Sequence, residues 1–329
     1  MAAQANFAGL KNGRGEIVDL RKIAARDLDP LLEEEIREWQ TELDWDFRPS
    51  ADLVRRYTAT NSLGGAALMV DGAVAGYGYG VVEEPRGIIG DIYIHPAARN
   101  PQSECDLFRS LLEALATTPR VTRMESQLML LTSGAAQLIE ANGLPRRVRL
   151  FPRCLLARSS SVDLPPVESG ALARFRFDRW RDHSMHVAGT IIAGAYKDET
   201  DAEINSQYRS PAGARRFLSN IVEFPGCGTF HPGASFLASD RSTGEPAGMV
   251  LSSFVAKDVG HISQLCVLPE SRGAGLGKEL LRAAVDTLRQ HGARNVTLTV
   301  TSSNSIAISL YEKFGFRRGR SFYAYTWEG

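Results

Sequence analysis

The sequence predicts a mixed α/β protein of the α+β kind: two tandem domains, each a mixed, mostly antiparallel twisted sheet flanked by helices. Length is the first reason. A chain of 329 residues is long for one hydrophobic core and suits two domains of roughly 150 residues each. The second reason is that the chain repeats itself. "ISQLCVLPESRGAGLGKELL", from Ile262, lies over "IGDIYIHPAARNPQSECDLF", from Ile89, so that Pro269 meets Pro96, Arg272 meets Arg99 and Leu280 meets Leu107. Further on "SLYEKFGFRRG" lies over "QLIEANGLPRR" with one residue lost, which sets Gly315 on Gly143, and "YRSPAGARRF" at 208 echoes "FRPSADLVRR" at 47. The third reason is that each half mixes hairpins with helical crossovers, which excludes a purely parallel sheet.

In order, 1–14 reads as a flexible tail and 15–158 as the first domain. That domain carries the strands "AALMVDG", "AVAGYGYGVV" and "GIIGDIYIHP". "SSSVDLPPVESG" (159–170), rich in Ser and Pro without periodicity, reads as a linker, and 171–329 as the second domain. There "FRFDRW" predicts a strand, 180–195 and 212–222 predict helices, and "ASFLASD" and "AGMVLSSFVA" predict a hairpin around "RSTGEP". "GHISQLCVL" is a strand ending at Pro269. It is followed by a helix whose Leu280, Leu281, Ala284, Val285 and Leu288 form one apolar stripe, with Gly292 just past its end. "NVTLTVT" alternates as a half-buried strand, 304–314 is a short helix, and "SFYAYTWE" supplies a last strand.

Composition excludes several classes. Hydrophobic residues make up 43% and charged residues 23%, while Lys+Arg and Asp+Glu balance at 38 each, so no net field recruits nucleic acid or an anionic membrane. Cys105, Cys154, Cys227 and Cys266 are far apart and form no C-x-x-C pair, which predicts neither a metal site nor a disulfide framework and favours a reducing, cytoplasmic setting. The N-terminus has no apolar core of signal-peptide length.

The chemistry concentrates in "RGAGLGKELL" (272–281). Strand, Pro, glycine loop and helix in that order bring bare backbone to a helix N-terminus, where unpartnered amides and the helix dipole suit an anion. A glycine-rich turn used only for packing has the same signature. The Walker pattern fails because Arg272 and Glu279 stand where Gly and Ser or Thr are needed, and the spacing Gly273, Gly275, Gly277 is not G-x-G-x-x-G.

What fits is R-x-x-G-x-G from Arg272 to Gly277, directly after "QLCVLPES" and with "SLYEKFGF" downstream. This closely resembles the GNAT superfamily of acyl-CoA-dependent N-acyltransferases, specifically over about 234–327 and by architecture alone in the first half. The resemblance implies a site for acetyl-CoA, with its pyrophosphate on Arg272, Gly273, Ala274, Gly275, Leu276, Gly277 and Lys278. It further implies that Leu265, Cys266 and Val267 pair their backbone with the pantetheine arm, with the Val267 amide as oxyanion donor. Tyr311 takes the place of the family's general acid, and an aromatic that simply packs its helix would occupy the same position. Asn304 stands where a polar residue often touches the coenzyme, and Asn serves equally well as a helix N-cap. His261 occupies the place where many members carry a Glu base, on a strand face expected to include Ser263, Leu265 and Val267. A His with pKa near 6.5 is basic enough to take an amine's proton.

In this family the segment between the first two helices walls the acceptor site. Here it reads "YKDETDAEINSQYRSP", with Tyr196, Asp198, Glu199, Asn205 and Tyr208 as candidate contacts beside Ser263. Carboxylates and aromatics together suit a cationic amine, and a solvated acidic helix end would look the same. "FPGCGTFHPG" places Cys227 and His231 in a turn-rich loop, with no spacing that requires a nucleophile or metal. The first half has Asn100, Gln102 and Glu104 at the glycine positions, Pro101 among them, and Ile139 at the place of Tyr311. It is therefore expected to fold without binding coenzyme or catalysing, as in tandem members of the family with one active half. "EWQTELDWDFRPS" is expected to lie chiefly in the first domain's own core.

The expected activity is transfer of acetyl from acetyl-CoA to a small-molecule primary amine by direct attack in a ternary complex, by a monomer or homodimer. The competing readings are a non-catalytic acyl-CoA sensor or scaffold, and an acetyltransferase acting on protein amines.

Overall fold

The computed structural model describes residues 15–141, 148–167, 169–224 and 226–329. The expected tail, Gly143 and linker residue Glu168 lie outside the described residues. Contacts divide the chain into two units. The first holds 15–43, Phe47–Arg153 and Ser321–Gly329; the second holds Asp44–Asp46 and Cys154–Arg320.

The first unit runs β1 (Glu16–Asp19), α1 (Ala25–Leu43), α2 (Arg48–Ala59), β2 (Gly65–Val70), β3 (Ala73–Glu83), β4 (Arg86–Ile94), α3 (Pro101–Ala116), β5 (Arg123–Leu128), α4 (Ser133–Ala141) and β6 (Val148–Ser159), the last of which ends in residues of the second unit. Helix α1 forms because Leu28, Leu31, Leu32, Glu35, Trp39 and Leu43 recur at helical spacing and are buried together. Strands β1 to β4 pair antiparallel in sequence order, and β4 pairs parallel with β5.

The second unit runs α5 (Ser169–Arg174), β7 (Phe175–Arg179), α6 (Ser184–Ala195), α7 (Thr200–Ile204), α8 (Pro211–Glu223), β8 (Thr229–Phe230), β9 (Phe236–Asp240), β10 (Pro246–Ala256), β11 (Val259–Val267), α9 (Leu276–Gln290), β12 (Asn295–Thr301), α10 (Ser305–Lys313) and the start of β13 (Arg317–Glu328), whose residues from Ser321 on belong to the first unit. One sheet face carries Val250, Ile262, Val296, Leu298 and Val300 against the α9 stripe. The other carries Met249, Leu251 and Cys266 against Ile191, Ile192, Ala214, Leu218 and Ile221 of α6 and α8. Gly292 adopts φ +96 just past α9, as the C-terminal glycine was expected to do.

The repeat read from the sequence is also a repeat of hydrogen-bond register. In the first unit Tyr79 faces Asp91 and Gly80 faces Ile89, leaving Gly90 as a bulge, and the β4–β5 pairing ends at Ile89↔Ser126. In the second, Leu251 faces Gln264 and Ser252 faces Ile262, leaving Ser263 as a bulge, and the β11–β12 pairing ends at Ile262↔Leu298. Gly90 and Ser263 are the residues the sequence alignment superposes, as are Ile89 and Ile262.

The units differ from the expected domains in three places. Cys154–Arg158, expected in the first domain, group with the second unit and bury Cys154 and Leu156 in the α9 core. The last strand, expected in the second domain, pairs Tyr323–Glu328 with β5 and groups with the first unit. Its alternate residues Tyr325 and Trp327 are buried in the core around α3. An alternating aromatic strand completes either half equally well, so the pattern named the element but not its sheet. Asp44–Asp46, expected in the first core, group with the second unit: the Asp46 amide donates to Val255 O at 2.8 Å and Asn295 Nδ2 donates to Asp44 Oδ2 at 3.0 Å.

Candidate active site

The site is built where β11 leaves β12. Beyond Ile262 the two strands no longer pair, although both continue, so Ser263–Val267 run on with a backbone edge that β12 does not cover. The Ser263 bulge also resets the side-chain alternation. Leu265 and Val267 pack with the α9 cluster, while Cys266 packs with the α6–α8 cluster. His261 bonds Thr297, whose neighbours Val296 and Leu298 face α9, so His261 itself faces the other way. The expected common face for His261, Ser263, Leu265 and Val267 is therefore not formed. A period-2 count across this stretch fails because one residue is extra.

The glycine loop enters α9 with Gly273 at φ +77 and Gly275 at φ +78, a region costing an L-residue about 1–2 kcal/mol. A Cβ at Gly273 would meet nothing within 4 Å, so backbone conformation and open space, not packing, account for that glycine. Gly275 is the N-cap and offers no side chain; the first helical bond is Glu279 N–H to Gly275 O at 3.2 Å. The amides of Leu276 and Gly277 precede that bond and point toward the open loop side. The Leu276 side chain is buried in the core, so only its backbone faces the loop. Ala274 and Lys278 flank the turn and are half-buried.

The first unit closes the same place. Asn100 caps α3 by accepting from the Ser103 amide at 3.0 Å while Ser103 Oγ accepts from the Asn100 amide at 3.1 Å, and Pro101 removes a further donor. The Glu104 carboxylate, expected to occupy the anion position, turns inward instead and accepts from Thr132 through its amide and hydroxyl. Ile139 is buried in the core at the place of Tyr311.

Arg272 differs from its expected role as a coenzyme ligand. Its Nε donates to Val267 O at 3.3 Å, Nη1 to Glu199 at 3.0 Å and Nη2 to Ala195 O at 2.8 Å. Arg99 repeats the pattern in the first unit: Nε donates to Ile94 O at 3.0 Å, and both Nη atoms grip Glu38 at 2.6 and 2.7 Å. Because the arrangement recurs in the unit without glycines, it is a clamp from strand end to helix that the fold uses.

His261 is buried, donor or acceptor to Thr297 Oγ1 through Nδ1 at 2.9 Å, with the Trp45 ring 5.1 Å away. Burial lowers its pKa to about 4, which disfavours the base role expected for it. Burial likewise pushes the Cys266 thiol up to about 12, so it is no nucleophile at neutral pH. Tyr311 is buried on α10, its ring 6.0 Å from Phe316. Asn304 caps α10 by accepting from the Ala307 amide at 3.0 Å. His231 caps a short turn through Ala234 at 3.0 Å and lies 4.6 Å from the His291 ring.

The acidic segment is largely engaged by the fold. Glu199 holds Arg272, Asp201 accepts from Thr301 Oγ1 at 3.1 Å, and Asn205 accepts from the Gln207 amide at 3.0 Å. Asp198 is exposed at φ +62, and Ser263 bonds Ser253 at 3.0 Å. Tyr196 and Tyr208 do come together, stacked at 4.8 Å. Between them stands Gln264, a residue sequence reasoning missed. Its Nε2 donates to the Tyr196 hydroxyl at 2.7 Å, and its Oε1 accepts from the Tyr208 hydroxyl at 3.3 Å. No sequence signal marks it, because the bulge that sets Gln264 on the α6–α8 side leaves no compositional trace.

The acetyltransferase (GNAT) family model matches residues 192–316, the stretch that contains the splayed strand and the glycine loop. A putative [ribosomal protein bS18]-alanine N-acetyltransferase from Bacillus subtilis is 32% identical over 114 residues, which is 35% of this chain and 70% of that protein. The chain belongs to the GNAT family of acetyltransferases. A mycothiol acetyltransferase from Actinosynnema mirum is 25% identical over 305 residues, 91% of this chain and 97% of that one. N-alpha-acetyltransferase 30 from Schizosaccharomyces pombe is 34% identical over 70 residues, which is 21% of this chain and spans 47% of that protein. Among solved structures, a GCN5-related N-acetyltransferase from Sphaerobacter thermophilus shares the fold with a TM-score of 0.65 at 18% identity, over 96% of each chain.

Proposed function

We propose that this GNAT protein transfers acetyl from acetyl-CoA to a primary amine, and that the second unit does so alone. The observation that carries the reading is the contrast between the two helix entrances: α9 opens on two left-handed glycines with no side-chain cap, whereas α3 is sealed by a capping box. Open amides at a helix N-terminus suit the coenzyme pyrophosphate. The uncovered edge of Leu265–Val267 suits the pantetheine amides, as an added strand would.

In this reading the amine attacks the thioester carbonyl directly, in a ternary complex. The Val267 amide steadies the oxyanion, the nitrogen gives its surplus proton to solvent water as the C–S bond breaks, and Tyr311 donates its hydroxyl proton to the departing thiolate and regains one from solvent. His261 is assigned no proton transfer, so the acidic limb of the rate profile belongs to the acceptor amine. The relatives' names divide between a small molecule and protein amines, so a protein amine stands as the alternative acceptor. A screen of CoA release from acetyl-CoA with amino acids, polyamines, aminosugars and peptide N-termini tests the reading. Turnover that a Gly275→Glu substitution abolishes supports it; binding of acetyl-CoA without turnover on any of them favours a sensor.

A further inference from the structure

We propose that Gln264 is a positioning residue that presents the Tyr196 hydroxyl as a hydrogen-bond donor to an oxygen of the acceptor, so that the site selects amines bearing a hydroxyl or carbonyl oxygen beside the nitrogen. This rests on the acetyl-transfer reading above.

The direction of the hydrogen bonds makes the case. Tyr208 O–H donates to the Gln264 carbonyl oxygen, and the Gln264 amide donates to the Tyr196 oxygen. The short chain therefore occupies a lone pair of Tyr196 and leaves its proton unspent. Among the described residues no acceptor takes that proton. Burial, with Cys266, Asp201, Tyr208 and Tyr311 near enough to be felt electrostatically, raises the Tyr196 pKa well above its ordinary value, so the group is a donor at neutral pH. Tyr196 packs against the cluster that includes Cys266 and is bonded to Gln264, the residue directly before Leu265–Val267, so the unspent donor lies beside the uncovered strand edge assigned to the coenzyme. Gln264 itself is buried on the stretch of β11 that β12 has left. A buried donor without a partner is costly unless a ligand satisfies it.

The repeat supplies an internal control. At the matching position the first unit has Asp91, and Phe47, which the repeat sets on Tyr208, stacks on Trp39 at 4.8 Å, with no hydroxyl on either ring. The first unit does hold two tyrosine hydroxyls near Asp91, on the stacked Tyr77 and Tyr79 of β3, but Tyr77 donates to Glu35 and among the described residues no amide links the pair. The amide bridge between two tyrosine hydroxyls is found in the unit with the glycine loop.

The test uses the full chain, acetyl-CoA and two acceptor probes: serinamide, whose amine has both oxygens beside it, and n-propylamine, which has none. With kcat/KM expressed on the concentration of neutral amine for each probe, the wild type is expected to favour serinamide by about tenfold, the worth of one buried hydrogen bond. Gln264→Leu and Tyr196→Phe should each bring that ratio toward one, and the double variant should do no more than either. Acetyl-CoA affinity by calorimetry should not change. Gln264→Glu separates positioning from packing. Its carboxylate cannot donate to Tyr196, so serinamide turnover relative to wild type at each pH should recover as pH falls and the carboxyl regains a proton. Equal use of both probes by the wild type overturns the proposal. So does a preference that survives Tyr196→Phe, a Gln264→Glu variant without pH-dependent recovery, or a protein that binds acetyl-CoA and leaves serinamide untouched. Failure to bind acetyl-CoA at all overturns the acetyl-transfer reading instead.

Discussion

Asp91→Asn is expected to halve the pH dependence of the first unit's stability between about pH 4 and 6. Asp91 is buried and electrostatically coupled to buried Glu35, which accepts from Tyr77 O–H at 2.7 Å and Trp39 Nε1 at 3.3 Å. Burial holds the Asp91 carboxyl up at about 6, against 3.8 for a free one, and holds Glu35 well above its ordinary value. Both groups keep their protons in the folded state after the unfolded chain has released them. Stability is therefore full below about pH 4 and falls as pH rises through the folded values. Each proton contributes a slope of about 1.36 kcal/mol per pH unit, so Asp91 alone removes about 3 kcal/mol by pH 7. The amide of Asn can still accept from protonated Glu35, but it buries a new donor that costs about 1–3 kcal/mol if unpaired. The slope, with one titrating group instead of two, is thus the cleaner readout than stability at any one pH. Urea unfolding followed by tryptophan fluorescence at a series of pH values measures it, Trp39 lying against the pair. A variant with the wild-type slope would refute the description of two buried carboxyls that each hold a proton.

Other expectations concern the second unit. Tyr311→Phe should lower kcat about 100-fold or more while leaving acetyl-CoA affinity within a few-fold, measured by steady-state kinetics and calorimetry; an unchanged kcat would remove its acid role. His261→Gln should leave the acidic limb of the pH–rate profile in place, and a flattened limb would restore the base assignment. The same variant should resist acid better. With His261 lowered to about 4 from 6.5, stability is full above about pH 6.5 and about 3 kcal/mol is lost as pH falls through the folded value, a loss that Gln removes.

Most of the secondary structure was legible because each element carried its own period, as the stripe of α9 and the alternation of β12 illustrate. The glycine loop was legible because the second copy of the motif lacks the glycines. Three features were not. The Ser263 bulge adds a residue with no compositional mark, and it moved Gln264 into view and Leu265 out of His261's face. Arg272 looked like a charge for an anion because two of its partners, Ala195 and Glu199, are close only in three dimensions. His261 looked like a base because nothing near it in sequence reveals that Trp45 covers it. The acidic segment misled for the same reason: Glu199 and Asp201 are bound to residues 73 and 100 positions away.

The central claim is that one of two similar units holds the coenzyme, and that its glycines are the reason. Calorimetric titration of acetyl-CoA into the full chain tests this most directly. One site per chain in the wild type, lost in Gly275→Glu, is the predicted result. Two sites per chain, or an affinity that Gly275→Glu leaves unchanged, would contradict it.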